Sequence, residues 1–195
     1  MYKLILLIFS VVFCLQGCAL ENIPMVWRPT NDLYHDADTD KLSYLYSEKI
    51  KVMPFVDQRQ NPKEIGKNIE SSFRTKLVTT KDDVAQWCTD RYMFSLSQFG
   101  IIPVTSGETL RIYGEVVQFY VTEDNRYRGN VGIKLVVKRP DGKIIWQGMM
   151  VGSANRLGRS YKDENYYEVL SDSFIQAFQN FIKNDSLAKA IREEE

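Results

Sequence analysis

The scarcest reactive groups in this chain are three thiols and one imidazole: Cys14, Cys18, Cys88 and His35. Cys14 and Cys18 lie four residues apart at the edge of the most apolar run, so they are a metal pair, a redox pair or part of a discarded segment. A Ser-His-Asp or Cys-His arrangement would have to use His35, which lies in a polar stretch away from the apolar segments. Neither a GxGxxG after a strand nor a Walker loop occurs. Asp36, Asp38 and Asp40 have the spacing that opens a calcium loop. Lys41 then stands at the sixth position, where glycine is required, and Ser47 at the twelfth, where glutamate is expected. With 25 acidic residues, accidental carboxylate pairs are expected. These residues point to a protein that is not an enzyme and holds no metal.

The flanks of the two cysteines decide between their readings. Lys3 precedes Leu4 to Phe13, an almost wholly apolar run. A membrane-spanning helix needs about 20 such residues, and a run of about half that fits the core of a secretory signal. Leu15-Gln16-Gly17-Cys18 follows and resembles a bacterial lipobox, with Gln16 in place of the usual Ala or Ser. Residues 1–17 are then a signal peptide, and Cys18 carries diacylglycerol and an N-acyl chain. More than one acyl chain anchors stably, since each buried methylene contributes about 0.8 kcal/mol. No other cofactor is expected. Ala19 replaces the aspartate that signals inner-membrane retention in enteric bacteria, which favours the outer membrane, facing the periplasm.

Removing 17 of 195 residues leaves 178, enough to bury a sizeable core. Cys88 becomes the sole free thiol, so no internal disulfide can form. Losing Lys3 takes 25 basic residues to 24, against 25 acidic, and a chain so balanced has no field to attract nucleic acid.

The elements that would position a site follow from periodicity. Residues 18–47 are polar and irregular, with Pro24, Pro29 and a cluster of Asp, and read as a flexible tether. KIKVMPFVDQR (49–59) reads as one buried strand ending near Asp57. Ile65, Ile69, Phe73 and Leu77 recur every four residues, yet Gly66, two serines and TKLVTT favour two short strands. Val84, Trp87, Cys88, Tyr92, Leu96 and Phe99 form a helical stripe, with Thr80 to Asp83 as its cap and Gly100 as its stop. On that stripe Cys88 is a small buried hydrophobe.

IIPV (101–104) reads as a short strand. TLRIYGEVVQFYVTED places Leu110, Ile112, Gly114 and Val116 on one face, and Tyr113, Val117, Phe119 and Val121 on a mixed one. VGIKLVVKRP and KIIWQGMMVGSA continue the sheet as an antiparallel meander. Tyr166, Val169, Leu170, Phe174, Ala177, Phe178 and Phe181 form the stripe of a second helix. The expected fold is α+β, a single domain over 48–195. It has a mainly antiparallel sheet and two main amphipathic helices packed on one face.

Two stretches could meet a partner. Asp57-Gln58-Arg59 ends the first strand, and its competing reading is an internal ion pair. RLGRSYKDENYY (156–167) mixes Arg, Gly, Tyr and Asn after the last strand, and its competing reading is a plain connection. The candidate partner-binding residues are Asp57, Arg59, Arg156, Arg159, Tyr161 and Asn165.

The lipobox, the strand ending in DQR, the helix ending at FG, the three strands and RLGRSYKDENYYEVLSDSFIQAF together resemble the YajG family of lipoproteins over most of residues 48–192. That resemblance implies an outer-membrane or periplasmic lipoprotein with no assigned enzymatic activity, and it carries over no functional residues. The stretch WRPTNDLYHDADTD departs from the family pattern. The expectation is an outer-membrane lipoprotein that binds or assembles an envelope protein. An auxiliary lipid carrier for envelope transport is the alternative, and a cell-wall hydrolase a more remote one.

Overall fold

The computed structural model describes residues 20–30, 42–70, 75–158 and 162–193. The elements in order are α1 (Ser43–Tyr46), β1 (Ile50–Val52), β2 (Val56–Asp57), β3 (Glu64–Asn68), β4 (Lys76–Thr79), α2 (Val84–Gln98), β5 (Leu110–Glu123), β6 (Arg126–Lys138), β7 (Ile144–Leu157), α3 (Asp163–Ile182) and α4 (Asp185–Arg192). They make one mixed α+β domain, a mostly antiparallel seven-stranded sheet with the helices packed against it.

β5 is the spine. On one side β6 and then β7 pair with it as the expected antiparallel meander. On the other side β1, β2 and β3 follow one another along its length, all parallel to it, with Ile50 opposite Leu110, Val56 opposite Glu115 and Gly66 opposite Val121. The single strand expected over 49–59 is therefore two short ones. Pro54 has no N–H to give a ladder, and the Phe55 amide turns instead to Thr89 Oγ1 at 2.9 Å. β4 closes the row against β3, so Ile65 to Thr80 does form two short strands. IIPV is not a strand, although the Val104 amide donates to Ile50 O at 2.8 Å.

The mixed face expected for β5 does not exist. A bulge between Val116 and Gln118 inserts one residue, which reverses the alternation. Leu110, Ile112 and Val116 before the bulge, and Phe119 and Val121 after it, all point into the core. Val117 is left outside.

α2 forms where its cap says. Asp83 caps α2, its Oδ1 accepting from the Gln86 amide at 3.0 Å. Gly100, at φ +77°, ends that helix in the left-handed region. α3 is buried on nearly every side, because it lies between the sheet and a third layer.

That layer is the segment Leu20–Thr30. Ile23 and Met25 are buried, and Trp27 packs on Trp87 at 5.7 Å and edge-on to Phe174 at 6.1 Å. At one end the Ile23 amide donates to Thr79 O at 2.9 Å. At the other, the amide and hydroxyl of Thr30 donate to Asp172 at 2.8 and 2.6 Å. These residues were expected in a tether, but they strap the domain. Tyr44 and Leu45 of α1 are buried too, so the packed unit begins before residue 48. Asp36, Asp38, Asp40 and His35 lie outside the described residues.

Burial pushes the Tyr44 phenol up to about 12, with Arg192 pulling slightly the other way. Burial also raises Tyr92. Neither hydroxyl has a hydrogen-bond partner. A pKa raised in the folded state makes a contribution that is whole below the unfolded value of about 10 and is lost as pH rises through the folded one. The fold is expected to hold to about pH 10 and to open towards pH 12, with phenolate absorbance and loss of circular dichroism moving together.

Candidate functional site

Among the described residues the helices cover one face of the sheet and leave the other open. Across that open face the register sets Glu115, Lys134 and Met149 in one row and Gln118, Gly132 and Val151 in the next. Val117, Met149 and Val151 are 42%, 47% and 46% exposed. Gly132 lies between Val117 and Val151. A Cβ there would come within 3.2 Å of Gln118 Cβ and 3.6 Å of Val117 Cγ2, so glycine keeps the floor flat. The Lys134–Glu115 ion pair, at 3.3 Å and nearly half exposed, borders the aliphatic group. Such a pair contributes little to stability.

The β5 bulge opens a hollow of about 290 Å³ beside this group, lined by residues of the 59–64 loop and by Val117 to Tyr120. Arg59 forms its wall. Its Nε and Nη2 hold Asp57 at 2.9 and 2.6 Å. Its Nη1 reaches Glu64 O at 2.9 Å and Phe119 O at 3.1 Å, and Nη2 also reaches Pro62 O at 2.5 Å. A guanidinium has five N–H donors, and all five are used. Arg59 thus supplies the donors that are missing where pairing to β5 lapses between β2 and β3. Both side chains are largely buried, at 7% and 15% exposure. Asp57 and Arg59 thus pair with each other, as their competing reading had it, and the pair shapes the hollow. Next to it the Tyr120 hydroxyl donates to Glu64 Oε1 at 2.6 Å. Burial and that carboxylate both raise the phenol.

Removing the guanidinium strands the Asp57 carboxylate and three carbonyls. Arg59→Ala is expected to cost about 2 kcal/mol. Arg59→Lys should recover little of that, because its three donors cannot fork. Urea midpoints of the two variants check this.

The second expected group lies elsewhere. β5 and β6 separate β2 from β7, three strand spacings or about 14 Å. Arg156 pairs with Glu168, which also takes Arg28 Nε at 3.2 Å. Arg28 belongs to the strap, so this network joins strap, β7 and α3. Beyond it is a cleft of about 500 Å³ lined by Thr30, Asn155, Arg156, Asp172 and Gln176 among others. Asn165 is buried near the start of α3, where its amide donates to Lys162 O at 3.1 Å. Arg159, Tyr161 and Cys18 lie outside the described residues. Arg28, Glu168 and Asp172 were not foreseen. The one signal for them was the alternation of Ile23, Met25 and Trp27, which marks a packed segment.

Cys88 is fully buried, and burial drives its thiol far above the usual range, so it is no nucleophile. Among the described residues no three His, Cys, Asp or Glu are grouped to hold a metal ion. No described helix is long and apolar enough to cross a membrane.

No family model and no curated protein matches the chain. Solved structures do. The chain is similar to a Xanthomonas campestris protein of the DUF330 family, with TM-score 0.56 and 7% identity over 76% of this chain and 89% of that one. At that identity the likeness shows the fold. Weaker matches include a Caulobacter crescentus CB15 protein described provisionally as a lipoprotein, with TM-score 0.46 and 9% identity over 65% and 90% of the two chains. Another is the lipoprotein GNA1162 of Neisseria meningitidis, with TM-score 0.29 and 12% identity over 54% and 82%. Membership of the YajG family is not shown by these matches.

Proposed function

We propose that this protein is an outer-membrane lipoprotein, anchored through Cys18, that binds an envelope protein and does no catalysis. The observation that carries the reading is the open sheet face. Val117, Met149 and Val151 stand side by side there, around a glycine floor and next to a hollow. Contiguous exposed apolar groups of this kind mark binding surfaces. The lipid would concentrate the domain at the membrane, so a weak interaction would suffice.

The carrier alternative needs an apolar chamber between sheet and helices. That space holds Trp87 against Phe119 at 5.4 Å and against Phe174 at 5.6 Å, and Tyr92 against Phe178 at 5.4 Å. Among the described residues these packed rings occupy that space, which favours the binding reading.

Met149→Glu with Val151→Glu is the test. Exposed substitutions usually shift stability by under about 0.5 kcal/mol, so the variant should fold and stay in the membrane fraction. It should lose the envelope protein that the wild type retains after detergent extraction. Retention of the same protein by the variant would refute the surface. Cys18→Ser should move the folded domain into the soluble fraction.

A further inference from the structure

We infer that the β4 edge of the domain lies directly on the phospholipid headgroup layer. The inference rests on lipidation at Cys18 and goes beyond it, because it fixes which face meets the membrane.

One residue separates Cys18 from Leu20. Two residues reach no farther than about 7 Å even when extended. The polar layer of one leaflet is about 5–8 Å thick, the difference between a hydrocarbon core of about 30 Å and a whole bilayer of about 40–45 Å. A cysteine with its acyl chains in the core therefore holds Leu20 at headgroup level. Leu20 is not free to lead the chain away. Its carbonyl accepts from the Thr79 amide at 3.1 Å, the Asn22 amide donates to Thr79 Oγ1 at 3.0 Å, and the Ile23 amide donates to Thr79 O at 2.9 Å. The end of β4 is thus stitched to the anchor, with no spacer between lipid and domain.

The surface around that point suits the location. Leu77 is 52% exposed and borders a hollow of about 390 Å³ with Pro62, Lys63 and Thr79. Ile69, beyond the end of β3, is 38% exposed. Lys63 and Lys81 are exposed, and Lys67 stands opposite Leu77 in the ladder. Exposed aliphatic groups among lysines match a layer of anionic phosphates over hydrocarbon. Glu21, Asp82 and Asp83 are exposed acids near the same edge, and Glu64 also lines the hollow.

The test uses the full-length lipidated protein in vesicles of phosphatidylethanolamine and phosphatidylglycerol. An environment-sensitive fluorophore is placed at Leu77→Cys and, separately, at Val151→Cys on the open sheet face. Buried Cys88 does not compete for label. With a headgroup nitroxide in the vesicles, the label at 77 should be quenched several-fold more than the label at 151. Lys63→Glu with Lys81→Glu should reduce that difference. Equal quenching at both sites, in protein whose mass shows the lipid, would overturn the docking and leave the anchor standing. A mass without lipid would overturn both.

Discussion

Gly152→Val is expected to lift α3 from the sheet and to cost 3 kcal/mol or more. A Cβ at Gly152 would lie 2.2 Å from Ala177 N and 2.3 Å from Ser173 O. Both are backbone atoms of α3, so no side chain can swing aside. Overpacking usually costs about 1–3 kcal/mol where side chains can yield, and here the helix itself must move. The loss would spread, because α3 carries Phe174 and Phe178 into the core and holds the strap through Asp172. With a urea slope of about 2 kcal/mol per molar, the midpoint should fall by about 1.5 M or more. Gly152→Ala should show most of the loss, since the first carbon makes the clash. Gly107→Ala is the control. Its φ is +70° with open space around it, so it should cost only about 1–2 kcal/mol of backbone strain.

Trp87→Ala is expected to be comparably severe, at about 3–5 kcal/mol. The indole meets Trp27 of the strap, Phe119 of β5 and Phe174 of α3 at 5.7, 5.4 and 5.6 Å. Its Nε1 also donates to Met25 O at 3.1 Å. One side chain therefore ties strap, sheet and helix. Its loss should expose the strap before the rest of the domain unfolds. Limited chymotrypsin digestion should cut after Trp27 early in the variant and late in the wild type. Trp87→Phe should restore most of the stability but not the strap's hydrogen bond.

The contrast between α2 and β5 shows what a sequence makes legible. The α2 stripe from Val84 to Phe99 and the stop at Gly100 follow from a fixed period and a residue that tolerates positive φ. The strand alternation of β6 is equally regular. β5 breaks its own period at Val117, and no glycine or proline marks the bulge, so Phe119 and Val121 read as the wrong face. The parallel pairing of β1, β2 and β3 along β5 leaves no local trace at all. Pro24, Pro29 and the charges around them disguised the strap, although Ile23, Met25 and Trp27 alternate as a packed segment does. The Asp57–Arg59 pair was legible as a pair because its partners are neighbours in sequence. Its role was not, since Phe119 O lies 60 residues away. Arg28, Glu168 and Asp172 meet only once the strap is folded over α3.

The open sheet face is proposed to bind a specific envelope protein. A photocrosslinking residue at Val151 in the lipidated protein, activated in intact cells, tests it most directly. The same residue at Gln98, exposed at the end of α2, provides the comparison. One discrete adduct is expected from position 151, absent from position 98 and lost when Val117→Glu is added. No adduct from 151, or the same adduct from both positions, would contradict that binding.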